Sequence, residues 1–320
     1  MKVFVAGAGG VLGRALVPQL VACGHEVAGT TRSAAKLDLV RGLGARPVVM
    51  DALDPEAVAA AVAEAEPEVI VHELTALSGP MSMRDMRHPE RSPMAPMTNR
   101  LRTEATDHLL AAGRAVGARR FIAQSFVAFR WARAGGPVLS EAEPIDPDPP
   151  AALRTPLVGI LHVERVVPAI DWGEGLVLRY GGFYGPGTAV SREDDAPMAV
   201  AVRKRRFPLI GDGGAVWSHV HIDDAAAATV LAVDHGASGV YNIVDDEPAA
   251  VSEWLPVLAG DLHAKPPRRI PRWLARVAAG ETATLMMTEA RGSSNAKARR
   301  ELGWQPRYGS WRQGFAQGLG

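Results

Sequence analysis

Met1-Lys2-Val3-Phe4-Val5-Ala6-Gly7-Ala8-Gly9-Gly10-Val11-Leu12-Gly13 opens the chain, and its reading decides the fold. Lys2–Ala6 has strand character and runs straight into glycines. Beyond them Leu12, Leu16 and Leu20 recur every four residues, the spacing of one apolar helix stripe. Strand, glycine turn and helix in direct succession form a binding site for a dinucleotide pyrophosphate. Glycine at 7 permits the tight turn, at 10 it lets the backbone approach phosphate, and at 13 it lets helix and strand pack closely. The helix start then offers free N–H groups and the positive end of its dipole.

Outward from this unit, short β-branched runs alternate with helix-length segments as far as about residue 180. The runs predict strands at Lys2–Ala6, Glu26–Thr30, Arg46–Met50, Glu68–His72, Arg120–Gln124 and Gly175–Arg179. The pattern is that of an α/β protein with a doubly wound parallel sheet of the Rossmann type. After Tyr180 the alternation loosens. We therefore expect a dinucleotide-binding domain over 1–180, with 215–245 returning to it, and a smaller C-terminal substrate lobe over most of 181–320. Gly79 to Pro96 reads as an irregular loop, and the Pro-rich stretch Pro144–Pro156 ends before a helix from Leu157 to Ile170. The tail from Gly303, rich in Gly, Trp and Arg, reads as a surface segment.

The end of the second strand decides which dinucleotide binds. A carboxylate there suits the ribose hydroxyls of NAD, an arginine the 2′-phosphate of NADP. The sequence is Gly29-Thr30-Thr31-Arg32-Ser33, then Lys36, with no carboxylate before Asp38. NADP (NADPH) is therefore expected in preference to NAD. The expected cofactor contacts are Gly7, Gly9, Gly10, Val11, Leu12, Gly13, Arg32, Lys36, Asp51, Ala52, Leu74, Thr75 and Ser125. Asp51 stands where a carboxylate accepts from the adenine amino group, while Asp54, followed by Pro55, reads as a helix cap.

Composition excludes several classes. Lys plus Arg equals Asp plus Glu at 35 each, so no global field attracts nucleic acid or an anionic membrane. Arg203-Lys204-Arg205-Arg206, the one dense basic run, reads as a solvated helix end. Cys23 is the only cysteine, so there is no intramolecular disulfide and no zinc signature, and no metal site is expected. No apolar run is long enough to span a membrane and the start lacks the features of a signal peptide, so a cytoplasmic protein is expected. The expected partner is a small-molecule substrate, with a homodimer left open.

Several ordered motifs resemble the extended short-chain dehydrogenase/reductase family, which includes nucleotide-sugar epimerases and dehydratases. They are the Gly7, Gly10, Gly13 spacing and the helix from Thr103 to Ala112. Further on come Arg120–Ser125, with Phe129 where tyrosine is usual, and Arg179 to Gly187 containing Tyr184-Gly185-Pro186-Gly187. The last are Gly211-Asp212-Gly213 with His219–Asp224, and Asn295 to Pro306, which ends in Leu302-Gly303-Trp304-Gln305-Pro306. The resemblance implies a helix tyrosine followed four residues later by lysine, which lowers the phenol pKa for proton exchange with substrate. Here that pair is missing. The residues four places after Tyr180, Tyr184, Tyr241 and Tyr308 are Tyr184, Thr188, Asp245 and Arg312. Anchored on Glu164, the two positions hold Pro156 and Ile160; a two-residue slip would put Val158 and His162 there.

The resemblance keeps Ser125 as the serine that polarises the substrate oxygen, and Tyr184 is the substitute proton donor, unless water serves or Tyr184 is structural. His72 is expected to be structural, and His219 and His221 precede an Asp helix cap. The expected activity is NADP(H)-dependent oxidoreduction of a carbonyl or alcohol on a small organic molecule. The alternatives are a non-redox NADP sensor, or an enzyme of this fold catalysing elimination or cyclisation.

Overall fold

In the computed structural model, residues 1–77, 94–127 and 135–320 are described. Phe129 and all of the expected loop up to residue 93, beyond Ser78, lie outside them. Where that loop was expected to end, Met94 already begins a helix.

The expected strands form, with ends moved by a residue or two. They are β1 (Lys2–Ala6), β2 (Glu26–Thr31), β3 (Arg46–Val49), β4 (Val69–His72), β5 (Arg120–Phe126) and β6 (Glu174–Tyr180). Their helices are α1 (Val11–Ala22), α2 (Leu37–Gly42), α3 (Pro55–Ala65), α4 (Met94–Arg102), α5 (Glu104–Val116) and α6 (Ala151–Val166). β6 is followed by β7 (Gly182–Tyr184), β8 (His219–His221), α7 (Ile222–Asp234) and β9 (Gly239–Ile243). β9 rejoins the main sheet, whose order is β9-β6-β5-β4-β1-β2-β3 with every neighbouring pair parallel. Strand order reverses between β1 and β4. At such a switch point, loops at the carboxyl ends diverge and leave a crevice for ligand.

Alternation along β1 builds the layers. Val3 and Val5 join Leu12, Leu16 and Leu20 of α1 on one face, whereas Phe4 and Ala6 face Leu109 of α5 and Val163 of α6 on the other. The α1 stripe is 6%, 0% and 0% exposed, as its four-residue spacing requires. Asp54 caps α3 by accepting from the backbone N–H groups of Glu56 and Ala57, with Pro55 at the first helical position.

Two elements depart from the sequence reading. Helix α6 starts at Ala151 rather than Leu157 and runs through Pro156. Its apolar stripe Leu153, Leu157, Ile160 is 2%, 3% and 1% exposed, so burial outweighs the missing N–H of one proline. The tail, expected at the surface, is core. Helix α10 (Trp311–Gln317, numbered after α8 (Val251–Asp261) and α9 (Arg272–Thr288)) buries Trp311 and Phe315 at 0%. They pack with Tyr184 of β7 and with Trp254 and Leu258 of α8 in a third apolar cluster. The tail's aromatics supplied the energy to bury it, which composition by residue type did not reveal.

Tyr184 and α10 fit only because residue 314 is glycine. A Cβ there would lie 2.0 Å from the Tyr184 hydroxyl. Gly314→Ala should therefore destabilise the protein by about 1–3 kcal/mol through overpacking, read as a lower urea midpoint at unchanged slope.

Candidate active site

At the carboxyl end of β1 the chain turns through Gly7, whose φ is +102°, and the Gly10 N–H donates to the Gly7 carbonyl at 2.9 Å. The Thr30 hydroxyl of β2 accepts from the Gly7 N–H at 3.1 Å and so ties the turn to the neighbouring strand. A Cβ on residue 13 would lie 2.4 Å from the Gly7 carbonyl oxygen, so only glycine lets α1 approach this closely. No side chain caps α1 and its first turn holds no acidic residue. The N–H groups at Val11, Leu12 and Gly13 are thus left to an anion. This cradle fits a pyrophosphate. Gly9 lies beside Lys36, whose side chain is 4.0 Å from a Cβ built at Gly9, and Leu74 lies 3.4 Å from one built at Gly7.

Arg32 follows β2 directly and is exposed, as is Lys36. Asp38, the nearest carboxylate in sequence, is exposed and paired with Arg41. Asp51 lies just beyond β3, where its carboxylate accepts from the Leu53 N–H at 3.0 Å, and Ala52 is buried beside it. Thr75, just after Leu74, is half-buried.

Ser125, near the carboxyl end of β5, is 2% exposed, and its hydroxyl donates to Glu164 Oε1 of α6 at 2.7 Å. Arg179 of β6 donates to both oxygens of the same carboxylate, at 2.8 and 2.9 Å. The expectation that Ser125 polarises a substrate oxygen needs its proton directed at substrate. The structure commits that proton to Glu164 and leaves the oxygen as an acceptor.

Tyr184 is also corrected. It is 0% exposed, packed edge-on to His221 and Phe315, and its hydroxyl faces Gly314 without a partner. Burial pushes its pKa far up, so it is no donor near neutrality. His72 is structural as expected. Its Nε2 donates to the Leu101 carbonyl and Thr106 hydroxyl, its Nδ1 accepts from the Leu74 N–H, and burial lowers its pKa to about 4. His221 itself, not Asp223, caps α7, by accepting from the Asp223 N–H. His219 is buried beside Trp254, its pKa pushed down by burial to about 3.

At the positions of the missing pair, Ile160 is 1% exposed and Pro156 is half-buried. The slipped alignment fails, since Val158 is 58% exposed and His162 faces Asp107 of α5 at 2.7 Å. No group of three or more His, Cys, Asp or Glu among the described residues is arranged to hold a metal ion. No helix among them is long and apolar enough to cross a membrane.

Among the buried ionisable groups that escaped the sequence reading are Glu73 and Arg102. Glu73 follows β4, its backbone touches Gly7, and its carboxyl accepts from the Tyr180 hydroxyl at 3.2 Å. Arg102, the last residue of α4, is 6% exposed. The available signal was spacing: Thr98, Arg102 and Thr106 stand four residues apart on one buried face.

Comparison with known proteins agrees with this architecture. Residues 7–143 match a model for NAD(P)H-binding domains, and residues 157–244 one for the NAD dependent epimerase/dehydratase family. A 3-diazoavenalumate denitrifying reductase of a Streptomyces species is 45% identical over 99% of this chain and 100% of its own. A 2-alkyl-3-oxoalkanoate reductase of Stenotrophomonas maltophilia is 31% identical over 79% of this chain and 73% of its own. Among solved structures, the UDP-glucose 4-epimerase of Thermotoga maritima superposes with a TM-score of 0.75 at 21% identity, covering 100% of this chain and 97% of that one. A human epimerase-family protein solved with NADPH gives 0.76 at 18%, covering 100% and 99%. The chain belongs to the extended short-chain dehydrogenase/reductase family, as an atypical member without the tyrosine–lysine pair. It is an NAD(P)-binding oxidoreductase acting on a small organic molecule.

Two measurements test the site. Gly10→Val should abolish NADPH binding in a fluorescence titration while leaving the far-ultraviolet spectrum intact, because its side chain would enter the space of the pyrophosphate. The second concerns Glu73, whose pKa burial raises from 4.5 to about 8. Below 4.5 folded and unfolded chains both hold the proton; between 4.5 and about 8 only the folded chain does, so this group's contribution is lost as pH rises through that window. Glu73→Gln should flatten that decline in urea titrations at stepped pH.

Proposed function

We propose that this protein reduces a diazo-bearing small molecule with NADPH, expelling dinitrogen, and that its active site needs no proton relay. The observation that carries this reading is the commitment of the Ser125 hydroxyl to Glu164, opposite an α6 face holding Pro156 and Ile160. Carbonyl reduction needs a proton at oxygen as hydride reaches carbon, and short-chain dehydrogenases supply it from the pair absent here. A diazonium differs. R–N2+ takes up hydride, its C–N bond breaks, and R–H and N2 are formed, so atoms and charge balance without an acid. Alkyl diazonium ions decompose at once in water, so the substrate is an arenediazonium or the corresponding quinone diazide, whose phenolate product takes its proton from solvent. The full-length relative at 45% identity, named for denitrifying a 3-diazo acid, supports this class. Bound NADPH supplies the hydride.

The protein's own residues hold and orient. Gly7, Gly9, Gly10 and the first turn of α1 through Val11, Leu12 and Gly13 receive the pyrophosphate, with Leu74, Thr75 and Ser125 along the crevice. Arg32 and Lys36 meet the 2′-phosphate, and Asp51 with Ala52 flanks the adenine. The side chains of Arg32 and Lys36 stand without a hydrogen-bond or ion-pair partner among the described residues, and Asp38 is turned to Arg41, which supports NADP over NAD. Ser125 presents an oxygen lone pair, suited to a cationic diazonium rather than a carbonyl oxygen.

NADPH should bind more tightly than NADH by at least about tenfold, since hydrogen bonds to a charged phosphate contribute about 1.5–3 kcal/mol each. Arg32→Asp should erase or reverse the preference, and equal affinities in the wild type would remove the assignment. For the reaction, 4-carboxybenzenediazonium and NADPH deuterated at the nicotinamide C4 are the reagents. Dinitrogen, measured by mass spectrometry, should equal NADPH consumed, with deuterium in the product arene. A second reading, carbonyl reduction, is favoured by the relative named for a 3-oxoalkanoate. Oxidation of NADPH by 3-oxo acids without dinitrogen from the diazo arene would decide for it.

A further inference from the structure

Arg102 is a buried charge that the foregoing chemistry leaves without a task. It ends α4, and its side chain packs on Gly159 of α6, where a Cβ would lie 2.9 Å from Arg102 Cβ and 3.3 Å from its Cδ. Gly159 immediately precedes Ile160, the position at which the family resemblance expects lysine. The helix that should carry the cation is therefore apolar, while the helix packed against it sets the stem of Arg102 on the residue next to that position.

That guanidinium is 6% exposed, its Nε has no partner, and none of its nitrogens bonds or pairs with a described residue. The groups around it are already engaged. On α6, Glu164 accepts one bond from Ser125 and two from Arg179. On β4, His72 spends both ring nitrogens on Leu101, Thr106 and Leu74, and on α4 the Asn99 amide donates to the Thr155 carbonyl. Burial lowers the pKa of His72 to about 4 and of Arg102 only to about 10, so at neutral pH the imidazole is uncharged and the guanidinium charged. Glu164 is the charged neighbour that acts on Arg102, but both its oxygens already accept from Arg179, so no side chain among the described residues pairs with this guanidinium. A lone buried charge is costly unless something pairs with it. It sits beside the carboxyl ends of β4 and β5, the edge where open α/β sheets bind ligand.

We propose that Arg102 is the anchor for a carboxylate on the substrate, taken by the planar guanidinium fork and closing the charge balance of the site. Guanidinium and carboxylate match in two parallel bonds, a geometry that neither a ribose hydroxyl nor a neutral amide reproduces. This rests on the reading of a small-molecule reductase but not on which bond is reduced. It makes Arg102 a specificity-determining residue that selects acids over their esters and amides.

The test uses the NADP+-saturated full chain and unreactive probes, so it is independent of turnover. Binding of 4-hydroxycinnamate and of its amide is measured by calorimetry in wild type, Arg102→Gln and Arg102→Lys. The wild type should prefer the acid by about tenfold or more. Arg102→Gln should lose that preference with NADPH affinity unchanged, and Arg102→Lys should keep part of it. Thermal melts give a readout that a merely structural role would move the other way. Without probe, Arg102→Gln should melt no lower than wild type, because an unpaired charge is gone; with the acid, only wild type and Arg102→Lys should gain. Equal binding of acid and amide by the wild type overturns the proposal, as does an acid preference that survives Arg102→Gln. A lower melting point of Arg102→Gln without probe, or weakened NADPH binding, assigns the residue to the frame or the cofactor instead. Absence of dinitrogen release with an intact acid preference would sink only the diazo reading.

Discussion

Everything in the site depends on how closely α1 meets β1. The Gly7 carbonyl and residue 13 approach until no Cβ fits between them, and that contact puts the bare start of α1 at the strand's carboxyl end. Strand order reverses at the same place, so the crevice and the positive helix end coincide. Thr30 fixes the turn from one side and the backbone of Glu73 closes it from the other. A parallel sheet with both faces covered gives this arrangement its rigidity, because each strand is held by layers above and below.

The fold was legible wherever one local rule decided the outcome. The inner strands of the main sheet could be read because buried parallel strands are largely apolar runs, and the glycine spacing named the turn. Helix α6 was misread because proline is a local signal while the apolar stripe that overrides it is a tertiary one. The tail was misread for a similar reason: Gly and Arg between the aromatics looked like solvent chemistry, yet Trp304, Trp311 and Phe315 are all core. Tyr184 was singled out from the family turn, but its neighbour Gly314 is 130 positions away in a segment no local reading connects to it. Ser125 was rightly placed on β5. Its partner was not legible, because a hydroxyl's direction depends on which carboxylate folding brings to it.

The site thus keeps the family frame and alters its electrostatics. The Ser125–Glu164–Arg179 arrangement is buried and tightly bonded, which suits a scaffold holding neighbouring strands in register more than a group exchanging protons. Half-satisfied polar networks are costly inside proteins, whereas fully bonded ones fix a single arrangement. At the two positions where the family has tyrosine and lysine, α6 presents Pro156 and Ile160, an apolar surface.

The burial of α10 also bears on how the molecule is made. The third cluster joins Tyr184, at the end of the nucleotide-binding strands, to Trp311, Phe315 and Leu319 near the last residue, and the Gly318 carbonyl accepts from His221. During synthesis the first six strands leave the ribosome before α10, so this cluster has no lid until α10 has emerged. Until then a row of large aromatic side chains stays open to water. Closing that cluster therefore depends on a segment far downstream of the strand it covers.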